Sequence, residues 1–177
     1  MNCRNAQPIH AVVARFAEGG LAAEAMRSGG REPELVVAED GPATIEALRG
    51  VLHRLRAVDG EAVNPWDIAV LTGAKLDESA VWGVPGRRYG NEVLGNPAVD
   101  DEGRHLGLAA HAAPELDSDV ILCETIRRFK GLEKPVIVLV ELRADDPRLD
   151  RMLYVGASRA RQHLVVIAPA AVLARLR

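Results

Sequence analysis

The chain is punctuated by short, wholly apolar runs set between stretches of helical periodicity, and this alternation most constrains its fold. Leu35–Ala38, Asp67–Thr72, Asp119–Cys123, Pro135–Leu142 and Leu164–Ile167 each read as a strand. In such runs polar residues do not recur at every second position. Both faces of each strand must therefore be covered, as in a mainly parallel sheet with helices packed on either side. The intervening segments supply those helices. Ile9, Val12, Val13 and Phe16 share one face of a helix expected over Pro8–Ala17, and Leu21–Met26 is a further amphipathic stretch. Ile45, Leu48, Val51, Leu52 and Leu55 form the apolar stripe of a helix expected over Ala43–Val58. Asp146-Pro147 reads as an N-cap and first helical position for a helix running to about Arg161, and a last helix is expected from Ala170. The fold class is α/β. At 177 residues the chain fits one domain over 1–177, with an irregular insertion at about 73–118 carrying a short helix near Leu76–Val81 and one or two weak strands.

Several function classes are disfavoured at this level. No apolar run approaches a membrane span and no secretory signal opens the chain, so a cytoplasmic location and no membrane partner are expected. The net charge of −3 argues against a strongly basic nucleic-acid platform, though it leaves room for a few local phosphate contacts. Cys3 and Cys123 lack metal-type spacing and the five histidines form no pair at helical spacing, so no metal site is expected. Asp100-Asp101-Glu102 follows no apolar strand. Glu141 ends a strand without any phosphate loop to serve. Both are expected to be solvated turn residues. A P-loop needs Gly-Lys followed by Ser or Thr, and the sequence contains no Gly-Lys pair. The chain alone is not expected to hydrolyse ATP.

Two stretches carry chemistry. Thr125-Ile126-Arg127-Arg128-Phe129-Lys130-Gly131-Leu132-Glu133 runs straight into an apolar strand, and its Lys-Gly turn leads to a carboxylate able to accept a hydroxyl hydrogen bond. Leu153-Tyr154-Val155-Gly156-Ala157-Ser158-Arg159-Ala160-Arg161 places a permanently charged, planar guanidinium late in a helix, where it can reach a phosphate on a neighbouring domain. In this order the pair resembles motifs V and VI of the UvrD/Rep-type superfamily 1 DNA helicases. Asn2-Cys3-Arg4-Asn5 with Ile9 is similar to motif IV, and Pro65-Trp66-Asp67-Ile68-Ala69-Val70-Leu71-Thr72 to motif IVa.

The resemblance implies a three-layer RecA-like domain, the C-terminal one of two in such a motor, with a P-loop-NTPase-type fold lacking its own P-loop. It implies ATP as the nucleotide, with Mg²⁺ held by the N-terminal RecA-like P-loop domain of the same protein or complex. It implies that Arg159 and Arg4 act as arginine fingers on the γ-phosphate. Glu133 would contact the ribose from the turn made by Lys130 and Gly131. Thr72, Thr125 and Arg127 would touch single-stranded DNA. Ser158 stands where the family has threonine, retaining the hydroxyl, and Arg127 stands where histidine is usual. Lys134 occupies a position often held by phenylalanine. The segment between the motif IVa strand and motif V is too short for the large helical accessory domain these helicases carry there. The alternative is a non-catalytic RecA-like module docking on a partner or on nucleic acid.

Overall fold

The computed structural model describes residues 6–16, 29–57, 62–107 and 115–177. Among them, helix α1 (Gln7–Arg15) precedes strand β1 (Glu34–Val37), helix α2 (Gly41–Ala57) and strand β2 (Ile68–Thr72). Two short strands follow, β3 (Arg88–Tyr89) and β4 (Glu92–Gly95), then β5 (Val120–Thr125) and β6 (Lys134–Val140). Helix α3 (Leu149–Ala157), strand β7 (Ala160–Ala168) and the single turn α4 (Ala170–Leu173) complete the order. All seven strands form one sheet in the order β1-β7-β6-β2-β5-β4-β3, parallel throughout except for the β3–β4 pair at one edge.

The strands owe their apolar runs to burial on two sides. Ala69, Leu71, Ile137, Leu139, Leu164 and Val166 face one core with Ile9 and Val13 of α1 and Leu149 and Leu153 of α3. Their alternates Ile68, Val70, Val136, Val138, Val165 and Ile167 face the other, with Leu48, Val51 and Leu52 of α2. This is the three-layer α/β arrangement of a RecA-like domain. The period-two exchange of neighbours is what a central strand with no solvent face requires. Each such Leu, Ile or Val contributes roughly 1.5–3 kcal/mol on burial, so the central strands anchor the fold.

Two boundaries differ from the sequence expectation. The last long helix starts at Leu149 rather than Pro147. Asp146 instead turns the chain just ahead of it, its carboxylate accepting from Arg148 N (2.8 Å) and its carbonyl from Leu149 N (3.0 Å). The same helix ends at Ala157, not Arg161, and β7 already begins at Ala160. The chain is drawn into the sheet early because Lys134 N donates to Arg159 O (3.1 Å), which aligns Lys134 with Ala160. Polar Arg161, Gln162 and His163 conceal this start from any apolar-run criterion. In the segment after β2, a 3-10 turn at Leu76–Glu78 stands where a short helix was expected, and β4 joins the main sheet beside β5. The expected stretch Leu21–Met26 lies outside the described residues. No helix among the described residues is long and apolar enough to cross a membrane.

Candidate functional site

All six parallel strands point the same way, so the candidate residues sort onto two opposite edges of the sheet. Glu133 and Arg159 sit at the amino-terminal ends of β6 and β7; Thr72, Thr125 and Arg127 sit at the carboxy-terminal ends of β2 and β5. The seven residues of β6 separate the edges by about 20 Å at strand rise.

On the first edge, the backbone bond from Lys134 N to Arg159 O holds the two motifs side by side. Arg159 is not in the helix but in the two-residue turn between α3 and β7, and it is partly buried. Its Nε donates to Val155 O (3.1 Å), a carbonyl at the end of α3 that also accepts from Ser158 Oγ (2.8 Å). A cation at a helix C-terminus meets the negative end of the backbone dipoles, which holds the guanidinium at the mouth of the turn. Glu133 is partly buried just ahead of β6. Gly131, with φ of 93°, adopts the left-handed conformation that turns the chain toward it, and Lys130 and Gly131 are exposed. Ala6 reaches the same edge, its N–H donating to Arg161 O (3.1 Å). Arg4 lies outside the described residues, as do Asn2, Cys3 and Asn5.

On the second edge, Thr72 and Thr125 are in register on β2 and β5, and Ile126 N donates to Thr72 O (3.0 Å). Thr125 behaves as an N-cap for the single turn after it, its Oγ1 accepting from Arg128 N (3.2 Å) and its carbonyl from Arg128 N and Phe129 N. Ile126 and Phe129 bury into the core and press this turn onto the sheet, leaving Arg127, Arg128 and Lys130 exposed. Thr72 differs from its neighbours. Its side chain is fully buried, donating to Glu141 Oε2 (2.6 Å) and accepting from Ala74 N (2.9 Å).

Two carboxylates on this second edge escaped the sequence reading. Glu141 is not a solvated turn residue: Oε2 also accepts from Ser79 Oγ (2.6 Å), and Oε1 from Ala80 N (2.7 Å) and Val81 N (3.4 Å). It does so from a left-handed backbone at φ 54°, which few non-glycine residues adopt. Its carbonyl would stand 2.7 Å from a Cβ at Gly73, so only glycine fits opposite it. Glu124 is buried beside Thr125, accepting from Asn96 Nδ2 (3.0 Å) and Thr125 N (2.7 Å), with His105 Nε2 at 3.8 Å and Arg128 Nε at 3.9 Å. Neither carboxylate has a local sequence signature, because Thr72 and Ser79 for Glu141, and Asn96 and His105 for Glu124, lie far away in the chain. The expectation for Asp100-Asp101-Glu102 fares better in part: Asp101 and Glu102 are exposed turn residues, and all three carboxylates are ion-paired, Asp101 with Arg87 and the other two with Arg104. Buried Cys123 belongs to the core packed by α2, its thiol pKa pushed up by burial, which makes it unreactive.

Residues 121–167, which span both stretches, match the UvrD-like helicase C-terminal domain family. Among solved structures, the chain is similar to the C-terminal domain of a possible DNA helicase from Lactobacillus plantarum WCFS1. The TM-score is 0.68 at 17% identity, covering 100% of this chain and 95% of that one. At that identity the likeness is one of fold. No curated protein matches the sequence.

Proposed function

We propose that this chain, whose residues 121–167 match the UvrD-like helicase C-terminal domain, is the second motor domain of an ATP-dependent DNA helicase or translocase. It supplies half of an ATP site and part of a single-stranded DNA track. The observation that carries this reading is the pairing of Glu133 with Arg159 on one sheet edge through the Lys134–Arg159 backbone bond. Residues from two distant motifs thus form one polar edge with an acceptor for hydroxyls and a cation for phosphate.

In this reading Glu133 accepts from the ribose, and the Lys130-Gly131 turn sets its approach. Arg159 neutralises charge developing on the γ-phosphate, an effect worth roughly 10³–10⁵ in rate for arginine fingers generally. Arg4 joins it from the amino-terminal segment. A P-loop domain of the same protein or complex contributes the phosphate loop and the groups that hold Mg²⁺. Thr125 and Arg127 meet the phosphates of the strand, while buried Thr72 supports the edge through Glu141 rather than by a contact of its own. The connection between Thr125 and Glu133 is only seven residues long and is anchored by Ile126 and Phe129. Movement of Glu133 on cleft closure is therefore passed along one short, packed turn to the DNA edge.

The test is turnover by the isolated chain. Without a phosphate loop it gives no ATP hydrolysis, with or without single-stranded DNA, whereas joining it to its P-loop domain gives DNA-stimulated hydrolysis. Turnover that stays with the repurified isolated chain would defeat the reading.

A further inference from the structure

The turn after β5 carries a second arginine that the reading above leaves unused. Arg128 follows Arg127, and its backbone is pinned to the proposed strand contact: Arg128 N donates to Thr125 Oγ1 (3.2 Å) and to Thr125 O (3.1 Å). Its side chain is 48% exposed. The nitrogen nearest a carboxylate is Nε, 3.9 Å from Glu124 Oε2, which is too far for a hydrogen bond. The two terminal nitrogens lie farther off still and make no hydrogen bond among the described residues.

Other arginines on or near this edge are neutralised. Arg143 and Arg148 follow β6, and each sets Nε (3.1 Å) and Nη2 (2.9 Å) on one aspartate, Asp145 and Asp146 respectively. Arg104, between β4 and β5, meets Asp100 (2.9 Å) and Glu102 (3.0 Å). Glu124 does not do the same for Arg128. Its carboxylate is buried and committed elsewhere, Oε1 to Thr125 N (2.7 Å) and Oε2 to Asn96 Nδ2 (3.0 Å). Asn96 is itself fixed, donating to Cys123 O (2.8 Å) and accepting from Ala98 N (2.9 Å). His105 Nε2 stands 3.8 Å from Oε1. The carboxylate therefore attracts the Arg128 guanidinium without bonding it, and keeps its own hydrogen bonds when the guanidinium leaves.

We infer that Arg128 is a further phosphate contact of the single-stranded track, held ready by Glu124 and exchanging that carboxylate for a backbone phosphate of the bound strand. This rests on the reading of the second edge given above and adds a residue to it. The exchange gains hydrogen bonds: at Glu124 the guanidinium has none, whereas a phosphate accepts two from a guanidinium fork. Thr125 Oγ1 keeps its own proton while accepting from Arg128 N, so hydroxyl and guanidinium can meet phosphate from the same turn. A contact made to phosphate carries no base preference.

The test is binding of a labelled oligothymidylate by the motor formed with the P-loop domain, followed by fluorescence anisotropy over a series of salt concentrations. Arg128→Ala should weaken binding about fivefold, the upper end for an exposed ion pair. It should also make the plot of log K against log salt less steep by about 0.7, the share of one phosphate on a single strand. Arg128→Lys keeps the charge and should keep most of the steepness. Glu124→Gln removes the competing charge and should tighten binding about twofold, a gain absent when Arg128→Ala is also present. Unchanged affinity and salt dependence in Arg128→Ala, with its urea midpoint intact, would overturn the assignment. So would a Glu124→Gln gain that is missing, or one that persists in full beside Arg128→Ala, since the carboxylate would then repel the strand directly. Arg127→Ala separates this assignment from the reading it rests on. If Arg127→Ala reduces the steepness and Arg128→Ala does not, the track stands without Arg128. If neither does while the motor still binds the oligonucleotide, the strand lies elsewhere and the reading of this edge fails as well.

Discussion

Replacing Glu141 should reveal how much of the second edge hangs on one carboxylate. In Glu141→Ala, Thr72 Oγ1 and Ser79 Oγ lose the acceptor they meet at 2.6 Å, and Ala80 N loses one at 2.7 Å. Both hydroxyls keep a role as acceptors, from Ala74 N and Trp82 N respectively, so each forfeits only its donor function. A buried donor left without a partner costs about 1–3 kcal/mol; Thr72 and Ser79 are buried, whereas the Ala80 amide belongs to an exposed residue that water can reach. The sum for the two hydroxyls is a loss of about 2–6 kcal/mol. The backbone contributes separately. At φ 54° alanine is strained and glycine is not, so Glu141→Gly should be about 1 kcal/mol more stable than Glu141→Ala although both lack the carboxylate. Glu141→Gln keeps one acceptor oxygen but turns an NH₂ toward either the hydroxyls or the Ala80 amide, and should lose about 1 kcal/mol. Urea unfolding at equilibrium measures all three, as midpoint shifts at unchanged slope. A Glu141→Ala variant within about 0.5 kcal/mol of wild type, or a glycine variant no better than alanine, would refute the network as described.

Two further outcomes are expected. Glu133→Ala should weaken ATP binding by on the order of 1–3 kcal/mol and Glu133→Gln by less, since the amide oxygen still accepts; calorimetric titration with equal affinities for all three proteins would rule out the ribose contact. His163 is buried in β7, and burial first, then the Arg31 charge, lower its pKa, with Glu34 opposing. The unfolded chain therefore takes up this proton more readily than the folded one. Stability should rise with pH from the lowered folded-state value up to the ordinary histidine value of about 6.5 and then level off. His163→Gln should flatten that segment of the profile, and an unchanged slope would assign it to other groups.

The central sheet was legible in the sequence because β2, β6 and most of β7 are buried on both faces, so their middles are almost wholly apolar. The two site stretches were legible for a different reason: Lys-Gly ahead of Glu133 and the Ser158-Arg159 pair are local, and their spacing survives on the page, although the turn that carries Arg159 reads as helix in the sequence. What failed to show were features made by distant partners. Glu141 is read as a turn residue because its donors Thr72 and Ser79 stand 69 and 62 positions away. Glu124 likewise depends on Asn96 and His105. The start of β7 was hidden because its first residues pair by backbone with β6 while carrying polar side chains. Thr72, a DNA contact only by its resemblance to motif IVa, has its hydroxyl buried and taken up by Glu141, which its own sequence neighbours do not announce.

Arg159 is the residue on which an ATP site at this edge most directly depends. In the motor formed with the P-loop domain, steady-state hydrolysis with saturating single-stranded DNA should show kcat reduced by about 10³ or more in Arg159→Ala, with KM for ATP changed far less. Arg159→Lys should not restore the rate, because lysine lacks the planar fork that meets a phosphate at two oxygens. Turnover near that of the wild type in the alanine variant, with its fold intact by urea unfolding, would contradict the proposal that this edge completes an ATP site.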